Sequence, residues 1–167
     1  MLILGLDPGT ATTGYGLIKI QEKGLEVIEF GLIETDKDGQ PEKRLAQIFK
    51  ELLVILDKFS PDVAAMEKLF FATNAKTAMR VGQAQGVLLL AAASRKVPIF
   101  EYAPGNIKKV VAGNGRADKI EIQKAVRKFL GAKVRKKTGQ KTHFDNAADA
   151  LAVALCHICL LNPKVYN

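Results

Sequence analysis

The chain has 167 residues, 48% of them hydrophobic and 25% charged, with 25 Lys and Arg against 17 Asp and Glu and a formal net charge of +8. This balance fits one folded domain, residues 1–167, with a sizeable core, and excludes a disordered or collagen-like chain. Two cysteines exclude a disulfide framework and suit a reducing cytoplasm. No basic leader precedes the first apolar run, and residues 87–93, the longest apolar stretch, are too short for a bilayer, so neither a signal peptide nor a membrane span is expected.

Residues 2–7 form a short apolar run, as in a strand buried on both faces, and Pro8-Gly9-Thr10 breaks it. Residues 14–20 and 25–34 read as two further strands joined by hairpin-sized links, 10–13 and 21–24. Residues 41–59 carry apolar positions at helical spacing with Pro at the start, and Ser60-Pro61 stops them. Residues 62–67 read as a fourth strand and 74–95 as a long helix rich in small residues, with Gly82 and Gly86 on one face. A fifth strand is expected over 98–103 and a short helix over 104–111, then a Gly113-Asn114-Gly115 turn. Asp118 can cap a helix running to Leu130. Residues 131–142 read as a basic loop, and 144–161 as a last helix, stopped by Asn162-Pro163. The order implies an α/β fold: a mixed five-stranded sheet flanked by helices.

The positive charge is local. Residues 108–141 hold 12 basic and two acidic side chains, whereas the rest of the chain holds 13 basic and 15 acidic. Such a patch suits a polyanion, nucleic acid above all.

Three acids interrupt apolar elements. Asp7 ends the first strand, Glu67 ends the fourth, and Asp149 sits in a last helix that is apolar almost all round. Asp145 and Asn146 lie one turn earlier in that helix. A buried carboxylate is costly unless paired or bound to a cation. Any one of these acids alone would read as a cap or a strand-end charge reaching solvent. Three together, beside a basic region, point to oxygen ligands for Mg²⁺ or Mn²⁺, and two such ions serve phosphodiester hydrolysis. Cys156-His157-Ile158-Cys159 has the C-x-x-C spacing but no second pair, and reads as buried core. Gly9 and Gly14 read as turn residues.

These residues also carry a family resemblance. Asp7-Pro8-Gly9-Thr10 followed by Thr13-Gly14-Tyr15-Gly16 resembles the opening of the RuvC-type Holliday-junction resolvases of the ribonuclease H-like superfamily. Glu67-Lys68-Leu69-Phe70 resembles the family's second acidic block, and Asn74 through Gly82-Gln83-Ala84-Gln85-Gly86 the helix after it. Tyr102-Ala103-Pro104, Lys108-Lys109 and Gly113-Asn114-Gly115-Arg116-Ala117-Asp118-Lys119 resemble the basic block. Ala147-Ala148-Asp149-Ala150-Leu151-Ala152 resembles the last acidic block. The blocks run in register from residue 2 to about residue 159.

The resemblance implies a ribonuclease H-like fold and a nuclease that cuts four-way DNA junctions symmetrically, with two Mg²⁺ ions per site (Mn²⁺ being an alternative), leaving 5′-phosphate and 3′-hydroxyl ends. It implies a homodimer and partnership with the branch-migration proteins RuvA and RuvB. The catalytic quartet carries over to Asp7, Glu67 and Asp149, with one departure. Three positions before the last Asp, where relatives usually carry Asp or His, this chain has Asn146. Asp145 as fourth ligand, weak ligation by Asn146, and an altered chain with weakened cleavage all remain open, and His143 stands nearby. Lys108, Lys119 and Arg116 are implied as DNA contacts. Phe70 is implied as a ring stacking on an unpaired base, with Phe71 as the alternative. An RNA-processing nuclease of the same fold and a junction binder with weakened cleavage are the competing readings. A nucleotide-binding module of the actin and sugar-kinase type, which also opens Asp-x-Gly-Thr, needs two such domains where 167 residues supply one.

Overall fold

Strict alternation along the central strands decides the layering of the molecule. A computed structural model describes residues 1–69, 75–131 and 141–162, and the side chains of these residues except those of 141–146. Strand β1 (Leu2–Asp7) runs antiparallel to β2 (Thr12–Gln21), which pairs antiparallel with β3 (Gly24–Glu34). On its other side β1 runs parallel to β4 (Val63–Glu67), and β4 parallel to β5 (Ile99–Tyr102). The sheet order is β3-β2-β1-β4-β5, so the mixed five-stranded α/β sheet expected from the sequence is present.

Leu4, Leu6, Ala64 and Met66 point to one face, where α1 (Pro41–Phe59) and α2 (Ala75–Ser94) bury Ile48, Leu52, Ala84 and Leu88 against them. Ile3, Val63 and Ala65 point to the other face, covered by α3 (Pro104–Ala112), α4 (Lys119–Leu130) and α5 (Lys141–Leu161). A strand buried on both sides needs apolar residues at every position, which is why residues 2–6 show no polar alternation.

Helix α5 is the innermost helix. Residues 147, 148 and 150–159 are all buried, which matches its apolar circumference. Its close seat depends on two glycines that face it. A Cβ on Gly5 would lie 2.0 Å from the Ala150 carbonyl oxygen, and one on Gly16 would lie 2.6 Å from Leu151 Cδ2.

Some boundaries differ from the sequence reading. Thr12 and Thr13 belong to β2, because they pair with Glu34 and Ile33, so the first link is residues 8–11 rather than 10–13. Helix α5 starts at Lys141, taking in the end of the stretch read as a loop; residues 132–140 of that stretch lie outside the described residues. Asp118 caps α4 as expected. Its Oδ1 accepts from the Glu121 backbone N–H, and Glu121 Oε2 accepts from the Asp118 N–H, each at 2.8 Å. Cys156 and Cys159 are buried and unbridged, and His157 is buried with the Tyr102 hydroxyl 2.6 Å from its Nδ1. No helix among the described residues is long and apolar enough to cross a membrane.

Candidate active site

Asp7 and Glu67 meet because β1 and β4 are parallel neighbours. Leu6 pairs with Met66, so the two acids that follow leave the sheet side by side at its carboxyl edge. Ile3 and Val63 face α5, and a period of two sends Asp7 and Glu67 to that same face. Asp149 reaches them from α5, one residue before the Ala150 carbonyl that rests on Gly5. Three acids far apart in sequence thus converge where two strands end beneath one buried helix.

The convergence shows in their acidity. The Asp7 carboxyl is pushed up to about 7, chiefly by burial and then by the negative charges of Glu67 and Asp149, with Lys119 pulling the other way. Burial and Asp149 raise Glu67, which Lys108 opposes. Burial raises Asp149, opposed by Lys119 and Lys108. Among the described residues the closest countercharge is Lys119 Nζ, 3.9 Å from Asp149 Oδ2 and half exposed. Two lysines at the rim leave the acid cluster under-neutralised, and that is the condition in which hard carboxylate oxygens take a divalent cation. Among the described residues no group of three or more His, Cys, Asp or Glu side chains is already placed to hold a metal ion as the structure stands.

An open cleft of about 210 Å³ lies beside the acids, lined by Asp7, Pro8, Glu67, Leu69, Val81 and Pro104 among others. The loop at its floor is tight. A Cβ on Gly9 would stand 2.3 Å from the Thr12 carbonyl oxygen, and the Thr13 hydroxyl donates to the Gly9 carbonyl at 2.7 Å.

The structure brings Asp7, Glu67, Asp149, Lys108 and Lys119 together. Lys108 arrives on α3, whose first residue is Pro104, and Lys119 on the first turn of α4, just after its capping box. Arg116 is exposed in the turn between those helices, and its backbone N–H bonds Asn114 Oδ1 at 3.0 Å. Positions 143, 145 and 146 fall in the first turns of α5, and the side chains of His143, Asp145 and Asn146 lie outside the described ones. Phe70 and Phe71 lie outside the described residues. Gly5, which no motif includes, and Gly16, which appears only within the opening block, set the depth at which Asp149 sits. A glycine inside an otherwise apolar strand was the available signal, because it marks close approach of another backbone.

The sequence profile described as "Crossover junction endodeoxyribonuclease RuvC" matches residues 3–157. The chain belongs to the RuvC family. A RuvC-family protein of that description from Thermotoga petrophila is 47% identical over 157 residues, covering 94% of this chain and 92% of its own. Another from Natranaerobius thermophilus is 46% identical over 157 residues, covering 94% of each. Among solved structures, "T. thermophilus RuvC in complex with Holliday junction substrate" superimposes with a TM-score of 0.85 at 31% identity, covering 99% of this chain and 97% of that one.

Proposed function

We propose that this RuvC-family chain is a divalent-metal-dependent endonuclease that resolves four-way DNA junctions by symmetric phosphodiester hydrolysis. The observation that carries the proposal is the convergence of Asp7, Glu67 and Asp149 on one sheet face with Lys108 and Lys119 at its rim. The three carboxylates are the proposed ligands for Mg²⁺, with Mn²⁺ as substitute, and α5 supplies a fourth from Asn146 or Asp145. When bound, two such ions supply Lewis-acid charge at the phosphate and lower the pKa of water.

The chain's own groups do the rest. Lys108 and Lys119 bind backbone phosphate and hold the scissile strand over the acids. Asp7, raised to about 7, is the carboxyl whose ionisation a cation assists most. Arg116, exposed beside them, adds salt-dependent affinity. Phe70, following the cleft residue Leu69, is the proposed stacking ring at the crossover.

Cutting two strands symmetrically needs two sites, hence a homodimer. Helix α2 supports this: Leu90 is 62% exposed, and among the described residues nothing beyond the helix's own backbone and the chain neighbours lies within 4 Å of a Cβ built on Gly86. Membership of the family also motivates partnership with RuvA and RuvB.

The deciding test is incubation with a synthetic four-way junction, with and without Mg²⁺, resolved on a denaturing gel. Paired nicks at symmetric positions, only with Mg²⁺, are expected, with RNA competing poorly. Preferential cleavage of RNA would favour the RNA-processing reading, and binding without cleavage would favour a junction binder.

A further inference from the structure

A second, larger cleft lies across the loop that follows Asp7. It measures about 500 Å³, and its lining includes Thr10, Lys37, Arg44, Lys76, Arg80 and Gln83; among the described residues the lining holds four cations and no acid. Asp36 and Asp38 occupy the same loop as Lys37 without lining the cleft; the Asp36 carboxylate is turned to the Asp38 backbone N–H at 3.0 Å. The cations come from the β3–α1 loop, α1 and α2, so folding gathers charge that is scattered along the chain.

The cleft is built rather than incidental. The Arg44 Nε donates to the Thr35 hydroxyl at 2.9 Å, and that buried hydroxyl donates to the Thr10 carbonyl at 2.5 Å. This relay fixes the guanidinium and ties the cleft to the loop leaving Asp7. The two clefts also share walls. Pro8 and Val81 line the acid cleft, while Thr10 and Arg80, in the same loop and the same helix, line the basic one. A backbone lying over Asp7 and Glu67 and continuing across the 8–10 loop would enter this second cleft.

We propose that this cleft is a phosphate-binding subsite for the DNA strand held at the acid cleft, with Lys37, Arg44, Lys76 and Arg80 contacting backbone phosphates away from the scissile bond. The inference rests on the junction-nuclease reading and assigns a contact surface outside the 108–141 basic stretch. Contacts of this kind position the strand and release counterions without reading sequence.

The test is the salt dependence of junction affinity, measured without divalent metal on the full chain. The triple variant Lys37→Gln, Lys76→Gln, Arg80→Gln changes three exposed side chains and spares the Arg44 relay. Its slope of log affinity against log salt should fall by about 2 to 3, close to 0.9 per lost phosphate contact. A charge-matched control, Lys19→Gln, Lys23→Gln, Lys58→Gln, alters exposed lysines away from both clefts and should keep the wild-type slope. An unchanged slope in the cleft variant, or an equal fall in the control, overturns the subsite while leaving the nuclease reading intact. A wild-type chain with no preference for the junction over duplex overturns that reading, and the subsite with it.

Discussion

Replacing Asp7 by Asn should stabilise the metal-free protein at neutral and alkaline pH while destroying its activity. The folded-state pKa is raised, so Asp7 favours folding fully only below its ordinary value of 3.8, and that contribution is lost as pH rises to about 7. A shift of that size corresponds to about 4 kcal/mol against the ionised folded state above pH 7. Water entering the open cleft lowers the figure, so the isosteric, neutral Asn should gain about 1–4 kcal/mol at pH 8, several degrees in melting temperature for a chain of this length. The assay is denaturant unfolding of wild type and Asp7→Asn from pH 4 to 8.5, with chelator and then with Mg²⁺. The difference between them should be small at pH 4, widen through pH 4–7 and level off above. Mg²⁺ should narrow it again by stabilising the wild type more, because a cation that binds only the folded carboxylates adds stability by mass action. A variant less stable than wild type at pH 8, or a pH-independent difference, would refute the electrostatic account of the site.

Three further outcomes follow from the same geometry. Gly5→Ala should destabilise by at least about 1–3 kcal/mol, because its Cβ would meet the Ala150 carbonyl at 2.0 Å and overpacking on that scale lifts α5; thermal unfolding reads it. Lys108→Ala with Lys119→Ala should weaken junction binding or cleavage and lower the salt slope by about 1 to 2, and an unchanged slope would place these lysines off the DNA. Asn146→Asp should speed cleavage at low Mg²⁺, since a carboxylate holds a hard cation more tightly than an amide oxygen. A null result there, combined with loss of cleavage in Asp145→Asn, would make Asp145 the fourth ligand.

The parts of the site that were legible in the sequence were those where a residue contradicts its element. Asp7, Glu67 and Asp149 each place a charge in a segment whose other residues demand burial, and the alternation of β1 and β4 places two of them on one face. Lys108 and Lys119 were legible because their stretch is uniformly basic. The second cleft was not, because Lys37, Arg44, Lys76 and Arg80 lie among acids such as Asp36, Asp38 and Glu42 in a region whose net charge is slightly negative. Only the loop and helix packing separates those signs. The depth of α5 was equally hidden: Gly5 and Gly16 matter through what rests on them, which a single strand does not reveal. The early start of β2 is hidden in the sequence because Thr12 and Thr13 look like loop residues until Glu34 and Ile33 pair with them.

The central claim is that three converging carboxylates cut DNA and the basic surface holds it. Its most direct test measures cleavage and binding together on one labelled four-way junction for Asp7→Asn, Glu67→Gln and Asp149→Asn, against wild type in Mg²⁺. Each variant should bind the junction with affinity close to wild type and release no nicked product. Normal cleavage by any one of the three, or loss of binding in parallel with loss of cleavage, would contradict the account.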